Sequence, residues 1–338
     1  MHARERVTRA LRGEPVDRPP LAYLFLGGAH HVLQRTGMRM GAAYRDAGRI
    51  AETQLAAAEL FGHDTVMAPW GCLTVEAEAF GAELTWHDDF YPQITSHPLA
   101  DTTDLSVLAD PDPSTTGRMP LVHEALRRLR ERAGDDLFVV AMVVSPFLVA
   151  AELRGMVELL TDFVEDPPFV EALMDRVTEG TARYVRALAG SGACDGVLFE
   201  NAGMCAELMG PHHAERFVLP YERRLLAAAR AEAPGVALIE HNCAQTPYLE
   251  HVLTLDVDAV SIAHGDLRAI RDHRVAWIGN VDNTRVMLES TPEDVEREAR
   301  ACIDSARGGA FVLSTSCEIP FKAPLENILA LGRAVRAG

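Results

Sequence analysis

The chain has 338 residues, 48% hydrophobic and 24% charged, enough to bury a large core in one barrel-sized domain. Its formal net charge of −17, from 49 acidic against 32 basic residues, argues against nucleic-acid binding and against anionic membranes. No apolar run nears the roughly 20 residues a bilayer span needs, and the charged start Met1-His2-Ala3-Arg4-Glu5-Arg6 lacks a signal-peptide core, so a cytoplasmic protein with reduced cysteines is expected.

Residues 3 to 12 have helical spacing, with Val7, Ala10 and Leu11 on one face, and Gly13-Glu14-Pro15 stops them. Leu21 to Leu26 is an apolar run closed by Gly27-Gly28 and predicts a first buried strand. Ala42 to Leu60 predicts a helix and Asp64 to Pro69 a second strand. From Cys72 to His97 the pattern alternates, and Phe80-Gly81-Ala82-Glu83-Leu84 predicts a hairpin turn in an excursion from the main architecture. Asp101 to Gly117 is a surface loop, followed by a helix from Met119 to Ala133.

Beyond this point strands and helices alternate. Apolar strands are predicted at Leu137–Val144, Asp195–Phe199, Val236–Ile239, Ala259–Ile262, Val275–Ile278 and Ala310–Leu313. Helices are predicted at 147–160, 168–189, 211–233, 247–253, 292–306 and 325–335; Thr291-Pro292-Glu293-Asp294 is a strong start signal for the fifth of these. Eight continuous apolar strands, most of them followed by a helix, predict a single-domain α/β (β/α)8 TIM barrel spanning residues 1–338. A doubly wound open sheet lacks its usual support, because no Gly-x-Gly-x-x-Gly follows any strand.

Polar residues gather at the C-terminal ends of these strands, where such barrels place their chemistry: Glu200 and Asn201, His241 and Cys243, His264, Asn280 and Asp282, Cys317 and Glu318. His241, Cys243 and Cys317 can supply three soft ligands to one Zn2+ and leave a fourth position open, as at a catalytic zinc. The two cysteines are 74 positions apart, far too many for a zinc ribbon or finger. Glu200, His264 and Asn280 are candidates for lining the pocket, with Asp282 beside them, and Glu200 or His264 could be a further ligand or orient His241. Cys72, Cys194, Cys205 and Cys302 read as small buried hydrophobes, and His30-His31 and His212-His213 as solvated pairs. Two thiolates make a zinc ion a weak Lewis acid for hydrolysis but suit it to holding a substrate thiol as a reactive thiolate.

Several motifs carry a family resemblance. Arg4-Glu5-Arg6-Val7 through Leu11-Arg12-Gly13-Glu14-Pro15-Val16-Asp17-Arg18-Pro19, Gly279-Asn280-Val281-Asp282 with Thr291-Pro292-Glu293-Asp294-Val295, and Pro324-Leu325-Glu326-Asn327-Ile328 resemble the uroporphyrinogen decarboxylase superfamily over essentially the whole chain. Within it, His241-x-Cys243 with Cys317 resembles the zinc motif of the corrinoid-linked methylcobalamin:coenzyme M methyltransferases. The resemblance implies a (β/α)8 barrel, a zinc thiolate formed on a small thiol substrate, and a methyl group delivered as methylcobalamin on a separate corrinoid protein.

The decarboxylases carry Arg-Gln-Ala-Gly-Arg after the first strand, where this chain has Leu26-Gly27-Gly28-Ala29-His30. Relatives often place a carboxylate after the sixth strand, near Ala263 here, so the fourth ligand stays open. Two alternatives remain: a metal-free decarboxylase-like lyase acting on a carboxylated substrate with Asp282 assisting, and a docking partner of a corrinoid protein with vestigial catalysis.

Overall fold

The computed structural model describes residues 1–25, 29–71, 73–265 and 274–336. Its strands are β1 (Thr65–Ala68), β2 (Glu83–Thr85), β3 (Gln93–Ser96), β4 (Phe138–Val144), β5 (Gly196–Glu200), β6 (Ala237–Asn242), β7 (Ala259–Ile262), β8 (Ala276–Val281) and β9 (Phe311–Thr315). β1 and β4 to β9 form one parallel sheet, curled into a half-barrel, in which spatial order is chain order. β2 and β3 pair only with each other, antiparallel.

Both faces of the sheet are covered, which explains the unbroken apolar runs. Every residue of β4, Phe-Val-Val-Ala-Met-Val-Val, is buried. Val140, Met142, Leu198, Ile239, Ile278 and Val312 pack together on the concave side. Their chain neighbours Val139, Val143, Val197, Phe199 and Leu238 belong to the larger core that includes the helices. The longest of these helices is Pro167–Gly190, which packs against Leu219–Glu232.

The N-terminal ends of the strands share one device. The Asp64 carboxylate accepts the Leu21 N–H at 2.8 Å while Asp64 N–H donates to the Leu21 carbonyl at 2.7 Å. Asp195 treats Val139 of β4 in the same way, at 2.8 and 2.7 Å, and Asp258 treats Leu238 of β6 at 2.8 and 2.9 Å. Arginines complete each carboxylate: Arg6 and Arg18 at Asp64, Arg4 and Arg130 at Asp195, Arg230 at Asp258. Leu21 is thus gripped as a strand residue is. On its other side Ala22 N–H donates to the Leu313 carbonyl at 2.8 Å, and Leu313 N–H to the Pro20 carbonyl at 2.9 Å.

Several expectations are revised. The predicted first strand, Leu21 to Leu26, is a single bridge from Leu21 to Leu313 rather than a strand, so the sheet has seven strands among the described residues. Pro19 and Pro20 carry no N–H for a ladder, and Phe25 turns the chain at φ +65°; Leu26 lies outside the described residues. Phe80–Leu84 is not a turn between strands: Val75–Phe80 is a helix stopped by Gly81 at φ +111°, and the chain reverses after Thr85.

The predicted helix 211–233 breaks at Val218 into Pro211–Phe217 and Leu219–Glu232, because Pro220 cannot sit inside a continuous helix. The predicted helix 42–60 begins instead at Ala47, where the Asp46 side chain accepts from Arg49 N–H. The Thr291 start signal closes as a full capping box with Asp294.

Asp64 is buried and neutralises Arg6, itself only 7% exposed. Asp64→Ala frees Leu21 and takes one carboxylate from Arg18 and from Arg6, which keeps its pair with Asp17, so it is expected to lower unfolding stability by about 1–3 kcal/mol. Urea unfolding read as a shift of midpoint at constant slope measures it.

Candidate metal site at the C-terminal strand ends

β5, β6 and β7 lie side by side in a register that pairs Glu200 with His241 and His241 with Ser261. Alternation along β6 turns Ile239 and His241 to the concave side and Leu238 to the helices. His241 is fully buried, with the Phe25 ring edge-on at 5.3 Å. Its Nδ1 bonds the Ser261 hydroxyl at 3.0 Å, and its Nε2 has no hydrogen-bond partner. With the proton on Nδ1, Nε2 keeps a free lone pair in a dry site.

Cys243 follows one residue beyond β6 and Cys317 two residues beyond β9; both are half-buried. The ligand atoms of His241, Cys243 and Cys317 lie within 4.8 Å of one another, and these three residues are the one group of that kind among the described residues. Two sulfurs and a nitrogen at this spacing can close on a single soft dication.

Glu200, also buried, reaches the same point. Its Oε2 is 3.7 Å from His241 Nε2, and the Cys243 thiol approaches its Oε1 at 3.9 Å. Burial pushes the Glu200 carboxyl up to about 8, so it holds a proton at neutral pH. The two thiols titrate as a pair, shifted in opposite directions. The hydrogen bond from Cys317 draws Cys243 far below the thiol range, against the opposing effect of burial, with His241 helping. Donating that bond, together with burial, pushes Cys317 up. Burial alone would lower His241, but Glu200 and Cys243, in their ionised forms, outweigh it and its pKa is raised.

The other residues singled out from the sequence lie outside this group of three. Asp282 Oδ1 accepts the backbone N–H groups of Thr284 and Arg285 at 3.0 and 2.7 Å, which makes it a turn cap. Asn280 donates to the carbonyls of Ala263 and Gly265 at 3.5 and 3.4 Å, and the Cys302 thiol lies 3.9 Å from its oxygen. His264 is half-buried, two residues past β7. Cys194, Cys205 and Cys302 are buried, while Cys72 and Leu26-Gly27-Gly28 lie outside the described residues.

His31 is not merely solvated, since its Nε2 bonds the Ala323 carbonyl at 2.8 Å. Sequence reasoning missed Ser261, whose place opposite His241 follows only once the β6–β7 register is known, and the bond from the Tyr91 hydroxyl to Glu318. A cavity of about 1030 Å³ opens at the other end of the sheet. It is lined by Arg4, Asp195, Arg230 and Asp258, whose charges pair with one another, and none of the site residues reaches it.

Fold and site together define a class: a parallel α/β protein with a candidate soft-metal site at the C-terminal ends of its strands. The chain belongs to the uroporphyrinogen decarboxylase (URO-D) family, whose model matches residues 2–338. It is 27% identical over 330 residues to the methylcobamide:CoM methyltransferase MtbA of Methanosarcina mazei, covering 96% of this chain and 95% of that one. It is 25% identical to the uroporphyrinogen decarboxylase of Parasynechococcus marenigrum, over 96% and 94% of the two chains. Among solved structures, a methyltransferase from Methanosarcina mazei superposes with a TM-score of 0.90 at 25% identity, over 100% of this chain and 99% of that one. A B12-independent methionine synthase from Shewanella shares the fold at a TM-score of 0.55 and 12% identity, over 86% and 87%.

The opposite shifts of the two thiols give a pH signature in the metal-free protein. Iodoacetamide at pH 6 is expected to label Cys243 ahead of Cys317, because only the thiolate attacks. Cys317→Ala removes the bond that stabilises the Cys243 thiolate, so the pH of half-maximal labelling of Cys243 should rise. Peptide mapping by mass spectrometry reads both.

Proposed function

We propose that the chain is a zinc-dependent methyltransferase that moves a methyl group from a methylated corrinoid to a small thiol, with methylcobalamin carried by a separate corrinoid protein as the donor. The observation that carries this reading is the meeting of His241, Cys243 and Cys317 within 4.8 Å around an unpartnered imidazole nitrogen. The relatives named methylcobamide:CoM methyltransferases support the donor and favour coenzyme M as acceptor. A (β/α)8 barrel goes with it: the segment around Leu21, bonded to Leu313 on one side and Asp64 on the other, is read as the eighth member closing a single domain, with β2–β3 as its hairpin excursion. So does a cytoplasmic location, where cysteines stay reduced; no described helix is long and apolar enough to cross a membrane.

The donor set fits zinc in kind and number. When bound, zinc lowers the pKa of the substrate thiol and presents it as a thiolate at neutral pH. The chain's own residues do the rest. Ser261 fixes the His241 ring so that Nε2 faces the two sulfurs. Ligation needs both sulfurs as thiolates and His241 neutral; Cys243 is drawn toward the thiolate while Cys317 is pushed the other way, so the Cys317 proton is the harder of the two thiol protons to remove. Glu200, protonated, brings no negative charge into a site whose two thiolates already balance a dication. In the transfer, the substrate thiolate would take the methyl group as CH3+: an S–C bond forms, the Co–C bond of the corrinoid breaks with its electron pair left on cobalt (Co(III) to Co(I)), and the thiol proton departs to solvent. His264 and Asn280, at neighbouring strand ends, are assigned to the pocket wall, and Asp282 supports the turn behind them.

Purified protein should contain about one zinc per chain. Cys243→Ala and Cys317→Ala should each lose the zinc and slow demethylation of free methylcobalamin by coenzyme M, followed by absorbance, by more than about 100-fold. Demethylation that survives chelation, or a parent protein without zinc whose activity Cys243→Ala leaves intact, overturns the zinc reading, and decarboxylation of a carboxylated substrate that survives chelation, with no demethylation, favours the metal-free lyase.

A further inference from the structure

Cys317 lies beyond the end of β9, where no sheet ladder fixes it, yet its sulfur must meet ligands that β6 carries three strands away. Three of the bonds that hold the turn around it come from one residue. Asn283 N–H donates to the Ser316 hydroxyl at 3.0 Å, that hydroxyl donates back to Asn283 Oδ1 at 3.0 Å, and Asn283 Nδ2 donates to the Glu318 carbonyl at 2.8 Å. Asn283 therefore grips the residues on both sides of Cys317.

The grip has a firm base. Asp282 caps the N–H groups of Thr284 and Arg285, and its carbonyl accepts from Val286 and Met287. Other bonds at the turn are Ser316 N–H to the Val281 carbonyl of β8 at 2.8 Å, the Thr315 hydroxyl to the Cys317 carbonyl at 2.6 Å, and the Tyr91 hydroxyl to the Glu318 carboxylate. Of these only the Tyr91 bond reaches the far side of the cysteine, and it holds the Glu318 side chain rather than its backbone.

We propose that Asn283 is a positioning residue that sets the Cys317 sulfur against Cys243 and His241. It touches neither metal nor substrate. Its reach across Ser316–Cys317–Glu318 fixes where the third ligand stands before any ion arrives. The metal half of this inference rests on the zinc reading above, whereas the placement of the two sulfurs does not.

The test uses the full-length protein, reduced and metal-free, with dibromobimane, a short reagent that fluoresces on bridging two nearby thiols. The parent should bridge Cys243 to Cys317, as identified by peptide mapping. Asn283→Ala should bridge at least tenfold more slowly. Ser316→Ala, which loses two of the three bonds, should slow as well and stands in if Asn283→Ala does not fold. Thr291→Ala, which removes a helix cap on Pro292–Ser305, controls for general loosening and should bridge at the parent rate. Zinc affinity, from competition with a chromophoric chelator, should fall about 10–100-fold in Asn283→Ala. Bridging at the parent rate in a folded Asn283→Ala or Ser316→Ala overturns the inference. A parent that binds no zinc but bridges, with slowed variants, overturns the zinc reading and leaves the positioning role standing.

Discussion

The site depends on a single row across the sheet. Val144, Glu200, His241, Ser261 and Ile278 are successive partners in the registers of β4 to β8. Strand side chains alternate with a period of two, so a slip of one residue anywhere in β6 would present Glu240 or Asn242 in place of His241. Cys243 keeps the same parity as His241, and that is what lets a two-residue spacing deliver two ligands to one point. The imidazole arrives with its tautomer partner, Ser261, already beside it.

The same strand end is polar on its other face, at some cost. Glu240 is fully buried among the helices, where burial holds its carboxyl protonated well above the usual range; Asn201 Nδ2 donates to it at 2.8 Å. Asn242 reaches the Met204 carbonyl at 3.3 Å and accepts from Ala244 N–H at 3.0 Å. Buried polar groups are tolerable only when bonded. These bonds join the end of β6 to the loops after β5 and β6, the loops that flank Cys243. Polarity behind the strand thus holds the backbone from which the ligands project.

How much of this the sequence revealed follows from which forces are local. The apolar runs of β4 to β9 and the cap at Thr291 are written in neighbouring residues, and they were legible. The His241-x-Cys243 spacing was legible because parity is a property of one strand. The Leu21–Leu26 run looked like a strand because its composition is that of a strand; what limits it is two prolines and the turn at Phe25, which hydropathy does not register. Asp282 stood out as a carboxylate at a strand end, but its neighbours Thr284 and Arg285 offered it backbone N–H groups, and a turn cap is the nearer use for a short acid. Ser261 and Asn283 act across strands, so no single-chain pattern marks them.

The two ends of the sheet divide the work. At the N-terminal ends, Asp64, Asp195 and Asp258 each satisfy a backbone N–H and at least one guanidinium, binding strand to strand where nothing else needs to enter. At the C-terminal ends, buried groups are left without partners: His241 Nε2, Asn201 Oδ1, Ser314 Oγ and Ser145 Oγ. An unmade bond in a dry site is a free-energy cost; the base carries some of it, at Arg130 Nε and His63 Nδ1, but there each strand is also stapled by a carboxylate. Stapling at the base lets the opposite rim tolerate it. An incoming ion that satisfies His241 Nε2 recovers part of it on binding, so the fold's least satisfied atoms are also those with the most to gain from a ligand.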